Sequence, residues 1–100
     1  MIMLLEKIKK ALRISSIAFD EEISDLISAA QQDLKLSGVM GEKAISETDP
    51  LIIRAVTVYC KANFGFDNPD AEKLQESYKM IKTHLTLSAE YTVGDVSAMA

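Results

Sequence analysis

Residues 50–64 place the tightest limit on what this chain can fold into. Leu51, Ile52, Ile53, Ala55, Val56, Val58, Tyr59, Cys60 and Ala62 leave only a narrow polar strip of Arg54, Thr57 and Lys61. A helix apolar on nearly every side belongs at the centre of a fold. The β-branched residues would also suit a strand. Length favours a helix, and so does the opening Asp49-Pro50, a capping residue followed by proline at the first helical position. The helix continues to about Phe64 and stops at Gly65. Everything else in the chain has to cover it.

Three amphipathic segments are available for that. The first covers residues 2–13, with Met1, Leu4, Leu5, Ile8, Ala11 and Leu12 on one face and Glu6, Lys7, Lys9, Lys10 and Arg13 outside it. The second runs from Asp20 to Ser37. Asp20 reads as its N-cap, Glu21, Glu22 and Asp25 sit at the positive dipole end, and Gly38 supplies a left-handed stop. Ile23, Leu26, Ile27, Ala30 and Leu34 form its apolar stripe. Residues 39–48 read as an irregular loop with room for a short hairpin. Asn68-Pro69 repeats the start signal for a last helix that runs to about Glu90. Its seam is Ala71, Leu74, Tyr78, Ile81, Leu85 and Ser88, while Glu72, Gln75, Glu76, Lys79 and Lys82 face water. A helix of about five or six turns overhangs so small a core, and overhanging apolar helices commonly find cover in a neighbouring subunit. The expected fold is all-α: a small four-helix domain over residues 1–90, with a buried central helix and a long C-terminal helix. Residues 91–100 lack periodicity and read as a flexible C-terminal tail.

Charge and chemistry narrow the function. With 100 residues and a net charge of −4, the chain is one domain and a poor candidate for a free-standing DNA binder. The charge is uneven. Lys7, Lys9, Lys10 and Arg13 stand against Glu6 before Ala18, which leaves about −7 for the remainder. Those cations form either a solvated helix face or a contact patch for an acidic partner. The single cysteine, Cys60, excludes an internal disulfide, fits a reducing cytoplasm and reads as a buried small hydrophobe. Met1-Ile2-Met3-Leu4-Leu5 meets Glu6 too soon for a signal sequence, and no run is long enough to span a membrane. A soluble, cytoplasmic protein is expected.

His84 is the only histidine, so any Ser/His/Asp or Cys/His arrangement would need it, and its place on the last helix beside Leu85 suits a structural or surface role. The acidic group Asp20, Glu21, Glu22 and Asp25 is explained by helix capping without a metal. Gly38 and Gly41 fit neither phosphate-loop spacing. The expectation is a non-enzyme without cofactor or metal.

The order of segments carries a resemblance. Ala11-Leu12-Arg13-Ile14 closes the first helix, and Asp20-Glu21-Glu22-Ile23 leads into Leu26-Ile27-Ser28-Ala29-Ala30. Asp49-Pro50-Leu51-Ile52-Ile53-Arg54-Ala55-Val56 then leads into a Tyr59-containing helix, followed by a long terminal one. Across roughly residues 3–90 this resembles the head–tail connector proteins of long-tailed phages and prophages, also described as head completion or DNA-packaging adaptors. The motifs are patterns of apolar and acidic residues rather than invariant chemical groups. In that family the third helix often ends in an aromatic followed by Asn-Arg; Ala62-Asn63-Phe64-Gly65 keeps the Asn and lacks the Arg.

The resemblance implies a subunit that assembles as a ring of about a dozen copies beneath the portal protein. Such a ring extends the DNA channel and offers a platform to a stopper or tail completion protein. DNA would pass without sequence-specific binding. Assembly in the host cytoplasm and a final place at the head–tail junction of the virion follow. On this reading Leu4, Leu5, Ile8, Tyr91, Val93 and Val96 are expected to make subunit or portal contacts, and Glu72 and Glu76 to face the channel. Two alternatives remain: a small helical protein-interaction module, and a prophage transcription regulator, for which no basic recognition helix is present.

Overall fold

Asp49 begins the central helix as its sequence demands. Its Oδ1 accepts the backbone N–H groups of Leu51 at 3.0 Å and Ile52 at 3.3 Å, and Pro50 fills the first turn. The computed structural model describes residues 2–65 and 68–92. In chain order the helices are α1 (Ile2–Leu12), α2 (Asp20–Leu36), α3 (Gly41–Ala44), α4 (Pro50–Asn63) and α5 (Ala71–Thr86), with a 3-10 turn at Ile17–Phe19. Among the described residues there is no strand, only an isolated antiparallel bridge between Val39 and Thr92. The fold is all-α.

The centre is α4, which packs against α1, α2 and α5. Ile52, Ala55, Val56, Val58, Cys60 and Ala62 are buried. Leu4 and Ile8 of α1, Ile23, Ile27, Ala30 and Leu34 of α2, and Tyr78 and Leu85 of α5 close over them. Burial of each Leu, Ile or Val side chain here is worth roughly 1.5–3 kcal/mol, so this cluster, rather than intrinsic helix propensity, holds the short α1 in place.

Several boundaries differ from the sequence expectation. Residues 39–48 hold the short α3, and Val39 bridges to Thr92 instead of forming a hairpin. Asn68-Pro69 does not open α5 directly. Asn68 Oδ1 accepts the Asp70 N–H at 3.0 Å and its Nδ2 donates to the Lys61 carbonyl at 2.7 Å, which builds a turn before Ala71. At the other end α5 stops at Thr86, so it has 16 residues against 17 in α2. The last helix is therefore not the long overhanging element the pattern suggested. Five helices, not four, make up the described chain.

Asp20 is also not the N-cap of α2. Phe19 holds that position without a side-chain bond, while Ser16 Oγ accepts the Ala18 N–H at 3.0 Å and caps the 3-10 turn. Freed from capping, the Asp20 carboxylate meets Lys9 Nζ at 2.6 Å and ties α2 to α1. Lys9, expected among the solvated cations, is only 5% exposed.

The ends of α1 and α2 share one closure. Val39 N–H donates to the Leu34 carbonyl at 3.0 Å around Gly38, whose φ is +118°. Ile14 N–H donates to the Lys9 carbonyl at 2.9 Å around Arg13, whose φ is +62°. Both are left-handed helix stops, which glycine adopts without penalty and Arg13 does not.

Tyr91 corrects the expectation of a loose segment from residue 91 onward. It is 7% exposed and belongs to the core cluster. Its carbonyl accepts the Met40 N–H at 2.7 Å, its hydroxyl donates to Asp49 Oδ1 at 3.1 Å, and Lys43 Nζ lies 5.4 Å from its ring centroid. The remainder of the predicted tail, residues 93–100, lies outside the described residues.

Candidate interaction surfaces

The side chains with the most reactive chemistry are separated in the described residues. His84 is exposed on α5, beside Met80 and Thr83 in a shallow cavity. Cys60 is fully buried, and burial pushes its thiol up to about 12, so the reactive thiolate is suppressed at neutral pH. Among the described residues no three His, Cys, Asp or Glu side chains are grouped to hold a metal. No helix among them is long and apolar enough to cross a membrane.

The residues expected at subunit or portal contacts separate into three groups. Leu4 and Ile8 are fully buried in this chain's own core, and Tyr91 is nearly so. Leu5 is half-buried against that core and keeps an accessible edge. Val93 and Val96 lie outside the described residues.

Glu72 and Glu76, the expected channel-facing acids, are exposed on α5. They line a cavity of about 480 Å³ with Asp33, Tyr59, Tyr78 and Lys82. At its edge, Tyr78 Oη donates to Asp33 Oδ2 at 2.7 Å and Lys82 Nζ donates to the same oxygen at 2.9 Å. Tyr59 meets Tyr78 edge-on with centroids 5.1 Å apart, and Lys82 Nζ lies 5.2 Å from the Tyr78 ring centroid. Burial alone would raise the Asp33 carboxyl, but the Tyr78 and Lys82 hydrogen bonds and the Lys82 charge outweigh it. Asp33 therefore titrates below its ordinary 3.8. Tyr78 is raised above its ordinary 10.0, by burial first and then by its bond to Asp33 and that carboxylate's charge. The cluster pins α5 to α2 with the carboxylate ionised and the phenol neutral. It is a structural tie.

Surplus apolar surface was expected from the sequence, but the residues that carry it were not singled out. Ile17 and Leu87 are each 81% exposed, Leu36 is 78% and Met80 62%. Ile17, Leu36 and Leu87 sit at helix ends and in connections, where helical periodicity carries no information. Met80 is outside the α5 seam, and its exposure could have been read there. Phe19 is 42% exposed and meets Phe64 edge-on at 5.5 Å, so the α2 entrance and the α4 exit share an aromatic contact.

No curated protein and no solved structure matches the chain. The family model for phage connector protein matches residues 4–92. That span covers every described helix except the first two residues of α1, and it ends at the Thr92 bridge. A protein of this family is a structural component that associates with other phage head and tail proteins, in keeping with helices that offer uncovered apolar surface. The chain belongs to the phage head–tail connector family.

Proposed function

We propose that this protein is the repeating subunit of a connector ring that docks beneath the portal protein. About a dozen copies would extend the DNA channel and present a platform to a stopper or tail completion protein. Assembly takes place in the host cytoplasm, and the finished ring sits at the head–tail junction of the virion. The observation that carries this reading is the large apolar surface left exposed on a chain of this family, with Ile17, Leu36, Met80 and Leu87 all more than half exposed. Side chains of that size gain roughly 1.5–3 kcal/mol each when a partner covers them.

On the same reading Glu72 and Glu76 face the passing DNA. Exposed carboxylates on α5 repel phosphates and keep DNA from adhering to the wall. The deciding experiment is electron microscopy with light scattering on the purified chain, alone and mixed with portal particles. Alone it should be single or weakly associated; with portal it should form rings. A protein that stays single and ignores portal particles overturns the proposal.

A further inference from the structure

We infer that the groove between α1 and α4 is a docking surface for a second copy of this chain, and that it receives the acidic opening turn of that copy's α2. The inference rests on the reading of the chain as a subunit that assembles with copies of itself. It begins from five cations brought together from three helices or their ends. At one end of the groove Lys7 and Arg54 line a cavity of about 420 Å³ that has no acid in its wall. At the other, where the turn before α5 and its first residues form the far wall, Arg13, Lys61 and Lys73 line a cavity of about 430 Å³ whose single acid is Asp70.

Arg54 and Lys61 lie about two turns apart on α4, while Lys7 sits on α1 and Arg13 just past its C-terminal end, so the two cavities lie on one track of roughly 10 Å. Lys9 and Lys82 are engaged by Asp20 and Asp33 within the chain. The groove cations instead border open space.

A positive track on a protein of net charge −4 calls for an occupant with carboxylates, and this chain displays one. Glu21, Glu22 and Asp25 are all exposed in the first turns of α2, whose buried residues Ile23, Ile27, Ala30 and Leu34 face the core. Because α1, α2 and α4 each touch the other two, they form a triangle, and the α1–α4 groove opens on the side away from α2. The acidic turn and the basic groove therefore sit on different faces and cannot satisfy each other within one subunit. Complementary patches on different faces of one chain generate head-to-tail association. Surface charge pairing of this kind is weak for one contact and sensitive to salt. Duplex DNA is the competing polyanion, disfavoured by the net negative charge.

Two charge-reversal variants test the contact: Lys7→Glu/Lys61→Glu/Lys73→Glu in the groove, and Glu21→Lys/Glu22→Lys/Asp25→Lys on α2. Both sets touch only solvent-facing or half-buried positions, and circular dichroism reports their folding. In sedimentation velocity at low ionic strength the natural chain should associate and return to single subunits in high salt. Each variant should stay single, and an equal mixture of the two should regain association, which misfolded variants could not do.

A variant that associates like the natural chain overturns the contact, as does a natural chain that stays single at low ionic strength. Retarded migration of duplex DNA by the natural chain, lost in the groove variant, without self-association would assign the groove to nucleic acid and overturn it too. The ring reading is separated by the portal arm. If both variants form rings on portal as the natural chain does, the contact fails and the ring stands. If the natural chain pairs in a salt-dependent way yet ignores portal, the contact stands and the ring reading fails.

Discussion

Cys60 and Asp33 show how single side chains report on this core. With its thiol fully buried and pushed up to about 12, Cys60 should react with thiol reagents slowly in the native protein and quickly once unfolded. Fast labelling under native conditions would contradict the packing of α4. Asp33 gives the opposite kind of handle, because its carboxyl is held below its ordinary value in the folded state. Its contribution to stability is present above pH 3.8 and is lost as pH falls below that value through the folded pKa. Tyr78 is raised instead, so its contribution is intact below pH 10.0 and declines as pH rises past it. Urea unfolding across pH should therefore show losses on both the acid and the alkaline side. In Asp33→Asn the acid loss should shrink, and in Tyr78→Phe the alkaline one; unchanged profiles would remove the cluster from the stability of the fold.

At the level of helices, the sequence was most legible where a start signal and a strong apolar pattern coincided. Asp49-Pro50 placed the start of α4 to the residue, and Gly38 and Gly65 marked real stops with φ of +118° and +83°. The start of α5 differs from the expected one because Asn68 bonds back to Lys61, a contact that joins two elements and has no local signature. Lys9 was misplaced for the same reason. Its burial depends on Asp20, which lies on the next helix and looked like a cap. Of the contact residues, Leu4 and Ile8 were rightly read as an apolar face, but periodicity cannot tell a face that meets the subunit's own core from one that meets a neighbour. The Lys9–Asp20 tie yields a sharp expectation. Asp20→Ala should destabilise the fold by about 1–3 kcal/mol by leaving the Lys9 ammonium in a largely buried site without its carboxylate. Adding Lys9→Met should recover most of that loss, as measured by urea midpoints. A double variant no better than Asp20→Ala alone would show that the pair is not the source of the effect.

The described residues measure 48 × 27 × 18 Å, and the chain returns on itself at Tyr91. Removing Tyr91 by truncation after Glu90 should cost roughly 1.5–3 kcal/mol from lost burial, whereas truncation after Thr92 keeps the contacts of Tyr91 with Met40, Lys43 and Asp49. Equal melting temperatures for the two truncations would contradict that packing. The clasp formed by Tyr91 also gives one backbone group an unusual value. The Met40 amide proton is held only by the Tyr91 carbonyl at 2.7 Å, from a residue far along the chain, and not by a helical ladder. Its exchange with deuterated solvent therefore times the detachment of the chain beyond α5, independently of the opening of α2 or α4. Faster exchange at Met40 on binding a partner would mean that the partner pulls Tyr91 away, and slower exchange that it presses Tyr91 home. One amide thus serves as a clock for whether docking remodels this end of the molecule or leaves it closed.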